Sequence, residues 1–200
     1  MSKFFTDVSK VGGASPFEPK RQFRWVVQFG KHPDAEFMCK SVAKPSFDMD
    51  VEEHDFLNHK FKYPTRIAWE DISLTFIDAF EADMGSRFWD MLRFMGYKLP
   101  NRKFDAAVGI TKANAVASLG EISILQLDGG GVQNEVEAGI PVYSPANIRE
   151  TWTLKNAFIK SIKWGGDLSY ENTGLVECEL DLAYDWAEYS RSLTEKYGNF

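Results

Sequence analysis

Residues 175–189, LVECELDLAYDWAEY, alternate between apolar and polar side chains over most of their length. Successive side chains of a β-strand point to opposite faces, so this pattern predicts one half-buried strand. The apolar side comprises Val176, Cys178, Leu180, Leu182, Tyr184 and Trp186. The polar side carries four carboxylates, Glu177, Glu179, Asp181 and Asp185. A chain built on such a strand needs a second layer to cover its apolar side.

A row of carboxylates on one strand face has several possible uses. General acid–base catalysis needs two acids whose environments separate their pKa values, and nothing in the sequence distinguishes one of these from the next. The sequence therefore predicts no catalytic residues. An ordinary solvated sheet face remains possible, and so does a surface whose negative charge repels a ligand.

The rest of the chain is also rich in strand patterns. Alternation recurs over 21–30, 36–49, 66–80, 120–128 and 149–165. Helical spacing occurs once, in the stripe Met84, Phe88, Met91, Leu92 and Met95, with Asp83 as the expected N-cap and Gly96 just past the end. Residues 101–119 are weakly patterned and are interpreted as a loop. Strands and helices do not alternate, which predicts a mainly β protein, an antiparallel β-sandwich or barrel with one flanking α-helix.

The pattern divides the chain into a body and several extensions. Residues 1–20 are interpreted as an N-terminal arm, 21–187 as the β domain and 188–200 as a C-terminal tail. Within the domain, the polar segment 44–63 is predicted to be a hairpin that projects from the body, and 129–147 is a long loop rich in Gly and Pro.

Composition narrows the range of partners. The net charge of −6 disfavours a protein that grips nucleic acid by its phosphates. No segment approaches the roughly 20 apolar residues of a membrane helix, and assembly in a cytosol is expected, with no membrane partner. Cys39 and Cys178 are predicted to be unpaired thiols on apolar strand faces. His54 and His59 lie on an irregular hairpin without converging ligands, so neither a metal site nor a cofactor is predicted.

Several segments, taken in order, resemble a known family. They are FRWVVQF, EFMCKSVAKPSF, NHKFKYP, WEDISLTFIDAF, ETWTLKNAFIKSIKWG and LVECELDLAYDWA, and together they span most of residues 20–187. The set resembles the tail tube protein of contractile-tailed bacteriophages, the T4-like myoviruses. The resemblance implies a tail-tube-like antiparallel β fold, hexameric rings that stack into a tube inside a contractile sheath, and conduction of DNA from capsid to host. It also implies a place in the virion tail, after assembly in the host cytoplasm.

The resemblance gives roles to the unusual segments. The acidic residues Glu177, Glu179, Asp181 and Asp185 become candidates for the lumen wall, where they would keep DNA phosphates from adhering. Unpaired sheet edges become ring-closing surfaces. Candidates for contacts between rings are Phe4, Phe5, Phe47, Phe56, His59 and Phe61. The implied partners are identical copies, the tail sheath protein, and the baseplate and tail terminator proteins.

Three alternatives remain open. Two lie close to the family: a baseplate protein that initiates the tube, and a tube protein like that of type VI secretion systems. The third is of another class, a β-barrel that binds a small ligand in an apolar interior.

Overall fold

The structure, a computed structural model, describes residues 20–33, 35–81, 83–101, 105, 109–127, 135–137, 140–142, 148–166, 168–171 and 173–191, with the backbone alone for 135–137 and 140–142. Phe4, Phe5 and the remainder of the predicted arm up to residue 19 lie outside the described residues. Most of the loop 129–147 and residues 192–200 of the predicted tail do so too.

Two four-stranded antiparallel sheets form the body. The first has the order β1 (Trp25–Phe29), β6 (Ile122–Leu127), β9 (Ile148–Lys155) and β12 (Trp186–Arg191). The second has the order β10 (Phe158–Lys163), β11 (Glu177–Ala183), β5 (Ile72–Ile77) and β2 (Cys39–Val42). Two hairpins form separate sheets, β3 (Phe47–Phe56) with β4 (His59–Trp69), and β7 (Glu135–Glu137) with β8 (Ile140–Val142). The prediction of a mainly antiparallel β fold is confirmed.

The described chain contains three helices rather than one, α1 (Ala35–Met38), α2 (Met84–Phe94) and α3 (Lys112–Leu119). Helix α3 falls in the segment interpreted as a loop. Its sequence, KANAVASL, consists largely of good helix formers, and the Thr111 hydroxyl caps it by accepting a hydrogen bond from the Asn114 N–H at 3.3 Å. The helix was missed because it is short and has little amphipathic pattern.

Helix α2 agrees with the prediction. Met84, Phe88, Met91 and Met95 are all buried, so the stripe packs on the body. The Asp83 carboxylate caps the first turn by accepting a hydrogen bond from the Ser86 N–H at 2.7 Å. Gly96 follows the last turn with φ 110°, a conformation that favours glycine.

The core lies between the two sheets and under α2. Its centre is Phe76 of β5, which is fully buried, with ring centroids 5.9 Å from Phe29 of β1 and 5.3 Å from Phe88 of α2. The other side chains with essentially no exposure are Ile72, Leu74, Met84, Leu119, Ile122, Leu154, Leu180, Leu182, Val27 and Cys178. Both predicted thiols are unpaired, Cys178 buried and Cys39 partly buried.

The acidic alternating segment is not one strand. Strand β11 ends at Ala183, and β12 begins at Trp186 in the other sheet. The chain crosses between the sheets at Tyr184 and Asp185, and the parity of the inward side chains changes there, because Ala187 rather than Trp186 packs against the core. Trp186, expected on the apolar side, is 45% exposed. Strand β12 also takes in the first four residues of the predicted tail, up to Arg191.

None of the helices in the described part of the chain is long and apolar enough to cross a membrane.

Candidate functional site: the β3–β4 hairpin and the acid row

Strands β3 and β4 pair in the segment predicted to be a hairpin, and the hairpin runs further than expected, to Trp69 rather than residue 63. Every residue of its two strands is exposed except Trp69, which is half-buried. At its base the Phe47 ring lies 5.4 Å from the Trp69 ring, and Trp69 lies 6.0 Å from Tyr184 of the body. An isolated two-stranded hairpin is at best marginally stable in water, so this hairpin needs further contacts to hold its shape.

Exposed apolar side chains are concentrated on the hairpin. Those at least 44% exposed are Phe47, Met49, Val51, Phe56, Leu57, Phe61, Tyr63 and Ile67. This many exposed large apolar side chains on one element are typical of a site that a partner covers.

The cross-strand register divides these residues between two faces. One face carries the apolar side chains Phe47, Met49, Val51 and Ile67 near the base, then the ion-paired Glu53, Asp55, Lys60 and Lys62 towards the tip. The opposite face carries Asp48, Asp50 and Glu52 near the base, then His54, Phe56, His59, Phe61 and Tyr63 towards the tip. Each face therefore changes from one character to another halfway along the hairpin.

The described residues that were predicted to make contacts between rings lie on both faces of the hairpin. Phe56, His59 and Phe61 lie together on one face at the tip, whereas Phe47 lies at the base on the other face. Phe4 and Phe5 lie outside the described residues. In the described part of the chain, no three His, Cys, Asp or Glu side chains are grouped so that they could hold a metal ion.

Three of the four predicted acidic residues form a row on the open face of the second sheet. We call Glu177, Glu179 and Asp181 the acid row. Each has a partner on another strand of the same sheet: Lys40 pairs with Glu177, Lys163 pairs with Glu179, and the Ser73 hydroxyl donates to Asp181 at 2.6 Å. The hydrogen bond to Glu179 raises the pKa of Lys163. The face is therefore lined with acids and lysines together, which the pattern of one strand does not reveal.

Asp185 does not belong to the acid row. It lies in the crossing between β11 and β12, where its two carboxylate oxygens each accept from the Lys112 amine at 2.7 Å and Asn156 donates to one of them at 2.7 Å. The hydrogen bonds from Lys112 and Asn156 hold the pKa of Asp185 below its ordinary value. The prediction that Asp185 shares a strand face with the other three acids is wrong, because the strand ends at Ala183.

A buried carboxylate that the sequence analysis missed lies beside the hairpin's root. Glu150 of β9 is 4% exposed and pairs with both Lys20 and Lys44. Directly opposite it on β6 is Gln126, also buried, whose side-chain amide donates to the backbone carbonyls of Arg21 and Arg24 at 2.9 and 2.5 Å. The sequence did contain a signal. Glu150, Trp152 and Leu154 occupy every second position of one strand, so the charged side chain lies on the same face as two apolar ones.

Glu150 is expected to make part of the stability depend on pH. Burial raises the pKa of Glu150, but the hydrogen bonds and charges of Lys20 and Lys44 outweigh burial and hold it below its ordinary value of 4.5. A lowered folded-state pKa stabilises the fold above the unfolded-state pKa and ceases to do so as the pH falls through the folded value.

We expect Glu150→Gln to lower the free energy of unfolding at pH 7 by about 1–2 kcal/mol, a modest cost because both lysines remain about half exposed. The difference between variant and wild type should shrink as the pH falls below 4.5. Urea unfolding of both proteins between pH 3 and 7 measures this. A difference that stays constant across the series would contradict the assignment.

Comparison with known proteins gives matches in structure alone. No family model matches the chain, and no curated protein sequence matches it. The chain is similar to one in the cryo-EM structure of the anti-feeding prophage baseplate, 6-fold symmetrised, with 14% identity, a TM-score of 0.59, and coverage of 88% of this chain and 99% of that one.

Two further matches come from an extracellular contractile injection system, PVC. The sheath–tube complex in its extended state gives 16% identity and a TM-score of 0.59, covering 96% of this chain and 99% of that one. The sheath/tube terminator in its extended state gives 18% identity and a TM-score of 0.58, covering 87% and 98%. These matches cover nearly the whole of each chain and confirm, at the level of the fold, the resemblance to a tube protein of a contractile tail.

Proposed function

We propose that this chain is a non-enzymatic structural subunit of the tube of a contractile tail, one that forms hexameric rings stacked head to tail inside a sheath. The observation that carries the proposal is the hairpin β3–β4, which exposes both faces of its long strands and a large apolar surface. In a monomer such a hairpin leaves its apolar side chains in water, whereas contact with identical copies would cover them. The fold shared with contractile injection structures supports the same conclusion.

The sheets of the body support closure into a ring. Each four-stranded sheet has two edge strands, β1 and β12 in the first and β10 and β2 in the second. Edge strands present unpaired backbone groups, which a neighbouring copy can satisfy. Contacts that repeat by rotation close a ring, and contacts that repeat along the axis extend it into a tube.

The acid row is proposed to face the lumen. Two of its carboxylates are paired with lysines from other strands, so a DNA phosphate meets opposing charges close together rather than a continuous basic groove. Duplex DNA carries about one negative charge per 1.7 Å and adheres to surfaces of net positive charge. We confine this proposal to Glu177, Glu179 and Asp181, since Asp185 is held by Lys112.

Contacts between rings are proposed for the tip of the hairpin, through Phe56, His59 and Phe61, and for Phe47 at its base. The arm, with Phe4 and Phe5, is proposed to assist them. Sheath, baseplate and terminator proteins are the proposed partners, in a virion tail or a related injection particle through which DNA passes.

A baseplate tube-initiator is the second candidate, and the match to a chain of the anti-feeding prophage baseplate favours it. The small-ligand barrel has less support. The interior between the described sheets is filled by fully buried side chains. A cleft of about 740 Å³ lies on the surface beside Leu168, Tyr170 and Glu177.

Electron microscopy of the purified protein, alone and with a sheath protein of the same system, tests the proposal. We expect rings of about six copies and, at high concentration, tubes whose inner wall carries the acid row. A tube that grows without other components favours the tube subunit, whereas a single ring that grows only on a baseplate favours the initiator. A protein that stays monomeric under all these conditions would rule out both.

A further inference from the structure

We propose that a hollow at the C-terminal end of α2 binds a nucleoside monophosphate. The base of the ligand lies against the exposed ring of Trp89, beside Tyr97, and its phosphate meets Arg93 and Lys98. The site belongs to a single copy of the chain, so it does not require a ring. It goes beyond the proposed function, which uses none of these four residues.

One side of α2 is exposed and carries both kinds of group that such a ligand needs. Trp89 and Arg93 are four residues apart, so they lie one helical turn apart on the same face of α2. Both are exposed, whereas the apolar stripe of the same helix is buried. After the last turn Gly96 adopts φ 110°, and the next residue, Tyr97, brings its ring within 6.2 Å of the Trp89 ring.

The aromatic surface is held in place without a ligand. The Trp89 ring meets Tyr97 edge-on at an interplanar angle of 77° and Trp164 at 59°, with centroids 6.2 Å apart in both pairs. The indole N–H of Trp164 donates to the Gly85 carbonyl at 3.1 Å, which fixes that ring in turn. All three aromatic residues nevertheless remain more than a third exposed. A nucleobase can stack on such a surface, and little conformational entropy is lost because the rings are already ordered.

The hollow beside these rings carries an excess of positive charge. Its volume is about 370 Å³, within the range of roughly 300–1,000 Å³ typical of small-ligand sites. Two cations, Arg93 and Lys98, line it together with one acid, Asp105, although the whole chain has a net charge of −6. Neither cation forms an ion pair with another described residue. The planar guanidinium of an arginine matches a phosphate in charge and shape, and a lysine adds a point charge.

The position at the end of a helix has to be reconciled with an anionic ligand. The carbonyl end of a helix carries partial negative charge, which disfavours anions. At α2, however, the backbone N–H groups of Met95, Gly96 and Tyr97 donate to three of the last carbonyls at 2.9, 3.0 and 3.2 Å. The phosphate therefore meets the side chains of Arg93 and Lys98 rather than unsatisfied carbonyls.

The combination of groups narrows the class of ligand. A neutral sugar would leave the two cations without a counter-charge, and a free inorganic anion would not use the aromatic surface. Asn101 and Asp105 line the same hollow and offer hydrogen-bond donors and acceptors for a base edge or a ribose hydroxyl. A nucleoside monophosphate uses all three kinds of group, and a single phosphate needs no more than the two cations present.

Calorimetric titration of the purified protein with AMP tests the site directly. We expect saturable binding, with adenosine and inorganic phosphate each weaker by about tenfold or more, because each lacks one half of the ligand. A short deoxyadenosine oligonucleotide with a terminal phosphate distinguishes the source: tighter binding than AMP identifies a strand end, and equal or weaker binding a free nucleotide. No binding of AMP at millimolar concentration would overturn the inference. Glucuronate or inorganic phosphate that binds as tightly as AMP would do so too, since an anion alone would then suffice.

Two substitutions separate the halves of the site. Trp89→Ala should weaken AMP binding by about tenfold or more, through loss of the stacking surface. Arg93→Gln should weaken AMP by about fivefold or more and leave the affinity for adenosine unchanged, a split that general damage to the fold would not produce. Trp186→Ala, which removes a 45% exposed indole from β12, is the matched control and should bind AMP like the wild type. Wild-type affinity in Trp89→Ala, or an equal loss in the control, would contradict the assignment.

Discussion

Phe76→Ala is expected to lower the free energy of unfolding by about 3–5 kcal/mol, the cost of removing a large ring from a closed core. Phe76 is fully buried, and it contacts Phe29 of the first sheet and Phe88 of α2. The ring thus joins both sheets and the helix, and three elements cannot all move to fill the space that it leaves. Because domains of this size are stable by only about 5–15 kcal/mol, a loss of this magnitude is a large share of the total.

Urea unfolding followed by Trp fluorescence measures this change, with Phe80→Ala as the matched control. Phe80 is the same residue type, follows the same strand closely, and is fully exposed. The control should unfold within about 0.5 kcal/mol of wild type. Equal effects of the two substitutions would show that Phe76 is not at the centre of the core.

Removal of the hairpin is expected to prevent assembly at the concentration at which the wild type assembles, and to leave the folded body intact. Phe47 and Trp69 are paired at its base, so an Asn-Gly turn can replace residues 48–68 without moving either strand end. The body should keep its stability to within about 1 kcal/mol, because the hairpin's ring contact with it runs through Trp69 and Tyr184, and both residues are retained. The aromatic side chains lost from the contact should raise the concentration needed for assembly by about a hundredfold or more.

Sedimentation and electron microscopy measure assembly, and urea unfolding of the monomer measures the body. Phe80→Ala serves again as the control, since it removes an exposed ring from the body while retaining the hairpin. Tubes formed by the shortened chain at wild-type concentration would show that the hairpin is dispensable for stacking. A shortened chain that fails to fold would show that the hairpin belongs to the core.

The strands and α2 could be predicted because their patterns record burial. The stripe from Met84 to Met95 has the period of a helix with one buried side, and its caps were also visible in the sequence. Periodicity does not record which sheet a strand joins. The segment 175–189 keeps its alternation across the crossing at Asp185, so one strand was predicted where two strands in different sheets occur.

The candidate site was only partly predictable. The hairpin was visible as a polar segment with embedded aromatic residues, but its charges sort by strand only once the turn at Leu57 and Asn58 fixes the strand limits. Lys40, which pairs with the acid row from β2, lies 137 residues from Glu177 along the chain, and their proximity is a result of sheet order. Glu150 was missed because its partners, Lys20 and Lys44, lie more than 100 residues away.

The ion pairs of Glu150 have a mechanical consequence. Lys20 lies before β1, and Lys44 lies between β2 and the hairpin. The Glu150 carboxylate on β9 therefore holds two separate chain segments against the first sheet. A force applied to the hairpin passes to the first sheet through Lys44 as well as to the apolar core, and removal of the Glu150 charge would break both ion pairs together.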